Sequence, residues 1–211
     1  MRLKIVLLLG VVLSGRLAVG QTFEGEIEYA NTFKSNIKGL TDKQLEAFVG
    51  SKQQYFIKGG CYKSVTNGQT IVMQLYNNKN NRLYNKSLKS DTLYWFDGSV
   101  NTDTVLSHTI KKDAGVILGH PCDAIILKTV TGTTTLYYNK GYLLDVTKYT
   151  KHKYGNWAFY TAKAGALPLK MVIENNQFTM ESTAIEIRQL QIKDDFFDID
   201  AGTPVKQSVG Q

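Results

Sequence analysis

Residues 53–76 read QQYFIKGGCYKSVTNGQTIVMQLY, and the way this stretch doubles back on itself decides the fold. Gly59-Gly60 and Asn67-Gly68 are dipeptides that accept the positive backbone φ of tight two-residue turns. The segments they separate, 53–58, 61–66 and 69–76, are short, carry β-branched and aromatic residues, and show no helical spacing. Three such segments in succession form a meander, and strands joined by tight turns run antiparallel.

The same signal continues in both directions. Upstream, Phe23, Gly25, Ile27 and Tyr29 alternate with Glu24, Glu26 and Glu28, the pattern of a strand with one buried and one wet face. A helical period interrupts it, with Leu45, Phe48 and Val49 on one side. Thr41 and Gln44 are spaced as a capping box, and Gly50 stands where the helix should stop. Downstream, strands are expected at 82–87, 92–96, 104–110, 122–130 and 133–138, with turns at Asp97-Gly98 and Thr131-Gly132. A second helix is expected over 157–163, between Asn156 as cap and Gly165 just past its end. Leu169, Met171 and Ile173 then alternate with Lys170 and Glu174. In the last long strand Phe178 and Met180 share one parity while Ile185 and Ile187 have the other, which predicts a β-bulge or a change of environment.

Some ten antiparallel strands in chain order with two short helices can close into a barrel, stack as a sandwich, or form a bent open sheet. The reading adopted is mainly β with short helices (α+β): a strongly curved antiparallel sheet or half-barrel covered by the two helices. An antiparallel sheet needs only one buried face, and the helices supply its cover.

The first 20 residues have the features of an export signal. Arg2 and Lys4 open it, residues 5–13 are apolar but too few to span a bilayer, and Ala18-Val19-Gly20 offers small residues for cleavage before Gln21. The mature chain is therefore expected in the periplasm or outside the cell, with no membrane span. It reads as one domain over 21–201, followed by a disordered tail over 202–211. Losing Arg2, Lys4 and Arg16 lowers the basic count from 25 to 22 against 18 acidic residues, leaving +4. That charge is mild and dispersed. Its densest cluster, Lys148, Lys151, His152 and Lys153, reads as a solvated loop, so nucleic acid is not an expected partner.

Cys61 and Cys122 would share an oxidising compartment. A bridge between them would contribute about 4 kcal/mol by loop-closure entropy, and two separate buried thiols are the competing reading. Which holds depends on whether two strand ends are neighbours, and the residues leave that open.

No motif calls for catalysis, metal or a cofactor. His108, His120 and His152 are not at metal-ligand spacing. Asp194, Asp195, Asp198 and Asp200 lack the glycine and terminal glutamate of a calcium loop. With Phe196, Phe197 and Ile199 interleaved, they read as a closing segment with aromatics inward and carboxylates outward. Asp97-Gly98-Ser99 lacks the second glycine of a nucleophile turn. Most of the many aromatics, Tyr62, Tyr154 and Trp157 among them, should pack cross-strand pairs. The candidate ligand-lining set is Ile71, Met73, Leu75, Leu93 and Trp95, one-sided, broad and flexible side chains suited to a guest of loose shape.

The opening Gly-Glu-Ile-Glu-Tyr (25–29), a Gly-x-Pro-Cys segment (Gly119, Pro121, Cys122), a Gly-Ala-Leu-Pro-Leu segment (165–169) and a closing Phe-Phe-Asp-Ile (196–199) resemble an exported Bacteroidota family of the Gly-Leu-Pro-Gly-Leu-Ile kind. That family is similar in fold to the outer-membrane lipoprotein carriers. The resemblance implies a half-barrel wrapped over helices with a cavity for acyl chains, and it brings no catalytic residues. The expectation is thus a non-enzymatic carrier for an apolar ligand, a lipid or a lipoprotein's acyl chain. The alternative is an envelope protein-interaction or structural module with no cavity.

Overall fold

In the computed structural model, which describes residues 22–208, the meander forms around Gly59 (φ 55°) and Gly60 (φ 91°). The expected leader, 1–20, lies outside the described residues. The strands are β1 (Gly25–Ser35), β2 (Lys52–Lys58), β3 (Cys61–Thr66), β4 (Ile71–Asn77), β5 (Arg82–Ser87), β6 (Leu93–Asp97), β7 (Val105–Ile117), β8 (His120–Thr129), β9 (Gly132–Leu143), β10 (Ala166–Asn175), β11 (Phe178–Gln189) and β12 (Val205–Gln207). The helices are α1 (Asp42–Val49) and α2 (Trp157–Ala164).

All twelve strands lie in one sheet, ordered β12-β6-β5-β4-β3-β2-β1-β11-β10-β9-β8-β7. It is open and curved, with β12 and β7 as its two edges, and it does not close into a barrel. Pairing is antiparallel throughout except that β12 runs parallel to β6. The return of β11 beside β1 places the first strand and the last long strand at the centre of the sheet, and the parity flip in β11 is resolved there. The β1–β11 register slips between Glu28 and Tyr29, so Ile185 is the extra residue and is exposed. The bulge lets Ile187 face Ile27 and Ala184 face Tyr29 on one buried side.

Several boundaries differ from expectation for physical reasons. The Asn67-Gly68 reversal is a four-residue loop, because its amides bond the end of α1: Gln69 N–H donates to the Ala47 carbonyl and Thr70 N–H to that of Phe48. A Cβ on Gly68 would stand 2.4 Å from the Val49 carbonyl oxygen, so only glycine permits this approach. β7 continues to Ile117 and turns through Leu118 (φ 50°) and Gly119 (φ 79°), which brings Pro121 into β8 opposite Val116. The tail expected to be disordered over 202–211 is ordered in its described part. Leu93 N–H donates to the Pro204 carbonyl, and Val205, Lys206 and Gln207 pair with Leu93, Tyr94 and Trp95.

α1 carries the expected capping box: Thr41 Oγ1 accepts from Gln44 N–H, and Gln44 Oε1 accepts from Thr41 N–H. It packs on β1 and on the β3–β4 loop at the margin of the sheet, with Leu45 buried and Phe48 exposed. The cover over the centre is α2, entered through two short 3-10 turns, Val146–Tyr149 and Tyr154–Asn156. The helices therefore do not share the roofing role equally.

The bridge considered between Cys61 and Cys122 is not formed; both are free thiols. β3 and β8 are separated in the sheet by β2, β1, β11, β10 and β9. Cys61 Sγ lies 3.4 Å from Asn78 Oδ1, and Cys122 Sγ 3.3 Å from the His120 carbonyl oxygen. Burial pushes the Cys122 thiol up. Alkylation in denaturant without reductant is expected to label both cysteines, and in the native protein Cys61 should react well before the buried Cys122. Failure to label either in denaturant would mean they are bonded.

Candidate functional site

Alternation along the strands lays one set of side chains on the concave side. Tyr29 comes from β1, Gln53 and Tyr55 from β2, Tyr62 from β3 and Gln74 from β4. The cross-strand partners Tyr29 and Gln53, Tyr55 and Ser64, and Ser64 and Gln74 keep them on one face. On the far side of β1, Ser182 lies opposite both Asn31 and Met171.

The lid descends onto this face. Asp145 accepts from Thr147 N–H and starts the first 3-10 turn. Gly155 (φ 59°) and Asn156 (φ 61°) are both left-handed and turn the chain into α2. Asn156 was expected to cap α2 through its side chain; instead its Oδ1 accepts from Asn101 Nδ2 at 2.7 Å. Tyr160 donates to the Ala166 carbonyl, and the αL residue Gly165 ends the helix where β10 begins.

Between lid and sheet is a cavity of about 220 Å³, walled by Tyr29, Tyr55 and Tyr62 on one side and by Trp157 and Met171 on the other. Trp157, Gly155 and Met171 also border a second hollow of about 280 Å³, which runs on between α2 and β8–β10 over Leu127, Leu136 and Ile173. The first has no charged side chain in its described lining. In the second, Asp103 and Glu174 stand among the lining residues.

One flank of the cavity is a stack of rings. Tyr55 lies on Tyr62 at 5.2 Å, Tyr62 on Tyr76 at 5.3 Å, and Tyr76 on His152 at 3.8 Å and 10°. His152 Nε2 is 2.8 Å from the Tyr62 hydroxyl, and its Nδ1 is buried without a partner among the described residues. Burial lowers the imidazole to about 3, so it is neutral in any ordinary buffer. Burial also pushes the Tyr55 and Tyr62 hydroxyls well above their ordinary value. Tyr29 is raised for the same reason and donates to the Pro168 carbonyl at 2.7 Å. The site is therefore uncharged, with hydroxyls and amides set in an aromatic wall. An apolar body fits such a wall, and an ion would lose its hydration there without a counter-charge.

The ligand-lining set read from the sequence lies on the other face. Met73 and Leu75 flank Gln74, so they point away from the cavity. With Leu93 they line a separate hollow of about 270 Å³ beneath the C-terminal segment. Trp95 packs in the same cluster with Ile192, Phe196 and Phe197, and its ring carries the Arg82 guanidinium at 3.9 Å. Ile71 is exposed. The expected closing segment does turn aromatics inward. Phe196 meets Phe56 edge-on at 4.9 Å, while Asp194 pairs with Lys58 at 2.8 Å.

Three cavity residues, Tyr62, Tyr154 and Trp157, were among the aromatics read mainly as packing. Tyr29, Tyr55, His152, Met171 and Ser182 were not singled out as ligand-lining. The signal available for them was the parity of Gln53 and Tyr55 with Tyr29, which marks the side of β2 opposite Phe56. His108 packs edge-on against Phe159 at 5.3 Å, and His120 Nε2 is 2.9 Å from the Tyr142 hydroxyl, so the three histidines are apart and each has an aromatic neighbour.

No protein-family model matches the chain, and no curated protein matches it by sequence. Solved structures similar to it include the lipoprotein LppX of Mycobacterium tuberculosis, at 7% identity over 81% of this chain and 89% of that one, with a TM-score of 0.33. A LolA superfamily protein from Nitrosomonas europaea matches at 8% identity over 84% and 91%, with a TM-score of 0.39. LprF of Mycobacterium bovis matches at 11% identity over 81% and 88%, with a TM-score of 0.29.

Proposed function

We propose that this chain is an exported, non-enzymatic carrier that shelters the apolar part of a lipid, or of a lipoprotein's acyl chain, between its curved sheet and the α2 lid. The observation that carries the reading is the uncharged cavity between the tyrosine wall and Trp157. Binding pockets are commonly about 300–1,000 Å³. Each hollow alone falls below that range, but they meet at Trp157 and Met171, whose side chains a long flexible guest would displace to run through both. Methionine suits this role because its unbranched chain repacks at small cost.

Protein purified from its own cell envelope is expected to release a lipid on solvent extraction and to show a matching mass increment by native mass spectrometry. A protein that carries no lipid, and takes none up when incubated with lipid extract, would end the carrier reading.

A further inference from the structure

The cavity wall holds polar groups that the fold itself does not satisfy. Ser182 is buried in the cavity lining, 3% exposed, and its hydroxyl has no hydrogen-bond partner among the described residues. The Tyr55 hydroxyl, also in the lining, has none either. Gln53 donates its amide to Ser64 Oγ at 2.7 Å, and Gln74 donates to Asn85 Oδ1 at 3.1 Å. Both amides are thus turned along the sheet, and both leave a carbonyl oxygen without a donor. Beside Ser182, Asn31 repeats the pattern: its Nδ2 donates to the Gly50 carbonyl at 3.0 Å, while its buried Oδ1 accepts from nothing described.

Two further groups of the lining are fully buried and unmet: Trp157 Nε1, an N–H donor, and His152 Nδ1 have no partner among the described residues. Buried polar groups are ordinarily hydrogen-bonded, so unpaired groups gathered around one cavity mark where a guest's own polar atoms complete the pairing. The character of these groups specifies the guest. Amide oxygens only accept, the Trp157 indole N–H only donates, and serine and tyrosine hydroxyls do both. The complement is a head group whose hydroxyls both donate and accept and that carries no charge. A carboxylate would accept from the Trp157 N–H, but it supplies no donor to the glutamine oxygens and brings a charge the wall does not balance.

We propose that the ligand is an uncharged lipid with a hydroxyl-bearing head, of the monoacylglycerol class. Its hydroxyls bond Ser182, Tyr55 and the Gln53 and Gln74 oxygens, and its chain lies along Trp157 and Met171. This rests on the carrier reading and narrows it to one class of head group.

The test compares three ligands with the same chain: monododecanoylglycerol, methyl dodecanoate and dodecanoate, each below its aggregation concentration at neutral pH. Binding is read by the fluorescence of Trp157, with Trp157→Phe separating it from Trp95 on the opposite face. The glycerol ester should bind about tenfold tighter than the methyl ester, as two neutral hydrogen bonds imply, and the ionised acid weakest. Ser182→Ala and Tyr55→Phe each remove a hydroxyl that has no partner in the unliganded fold. They should leave thermal stability unchanged or slightly higher while weakening the glycerol ester about three- to tenfold and sparing the methyl ester. Equal or tighter binding of dodecanoate or the methyl ester, or a glycerol ester indifferent to both substitutions, overturns this assignment and leaves the carrier reading standing. Binding of none of the three overturns both.

Discussion

Acidification is expected to weaken the fold from about pH 6.5 downward, well above the range in which exposed carboxylates protonate. The cause is His152. Its ring is stacked on Tyr76, bonded to Tyr62 and 1% exposed, and burial lowers its folded pKa from 6.5 to about 3. In the unfolded chain the imidazole takes up a proton below its ordinary value, whereas the folded protein refuses it until about 3. The unfolded state therefore binds more protons throughout that interval, and stability falls as pH falls. The full contribution is present above pH 6.5. It declines by up to about 1.4 kcal/mol per pH unit, reaching roughly 4 kcal/mol in total near the folded pKa.

Asp97, Asp123 and Asp194 also have lowered pKa values, the first from the Ser99 backbone N–H, the others from Lys112 and Lys58. Asp194 is exposed and Asp97 and Asp123 are half-buried, and the effect of all three begins only as pH drops through the ordinary carboxylate range. Urea unfolding at a series of pH values separates the two. His152→Phe keeps a ring against Tyr76 and removes the titration. It should cost about 1 kcal/mol at neutral pH, through the orphaned Tyr62 hydroxyl, yet show no slope between pH 6.5 and 4.5. A wild-type midpoint that stays flat over that interval would mean the imidazole charges without opening the stack.

Met171→Trp is expected to abolish ligand binding, with a loss of at least about a hundredfold, or about 2.8 kcal/mol. Met171 is the β10 side chain common to both hollows, paired across the sheet with Leu136 and Ser182. An indole there fills the passage a chain must thread. Because the added volume enters empty space and not a packed core, the melting temperature should hold or rise. The measurement is a titration with the fluorescent lipid analogue that the wild type takes up, together with a thermal melt. Undiminished binding with intact folding would place the guest elsewhere, and the hollow beneath the C-terminal segment, lined by Met73, Leu75 and Leu93, would be the first alternative.

The antiparallel meander, the capping box of α1, the limits of α2 and the bulge in β11 were all legible because each is written in a few neighbouring residues. Turn dipeptides, cap spacing and a parity flip act locally, and local signals survive into the fold. The β7–β8 hairpin was missed because Leu118-Gly119 is not a strong turn pair and Pro121 argues against a strand; its position at the start of β8 removes the objection. β12 was missed because it forms by pairing with β6, more than a hundred positions earlier.

The candidate site was half legible, and the missing half has a definite cause. Alternation assigns Met73, Leu75, Leu93 and Trp95 to one face and Tyr55, Tyr62 and Gln74 to the other, and in that the sequence alone was sufficient. It is silent on which face becomes concave and receives α2, since both are apolar in β3–β6 and each gains a cover, one from the lid and one from the C-terminal segment. Curvature, the bulge at Tyr29 and the docking of elements far apart in the chain make that choice, so Met73, Leu75 and Leu93, expected beneath the helices, lie on the face covered by the C-terminal segment. The order of strands and their parity are local properties of this chain; the cavity exists only because distant segments meet across it.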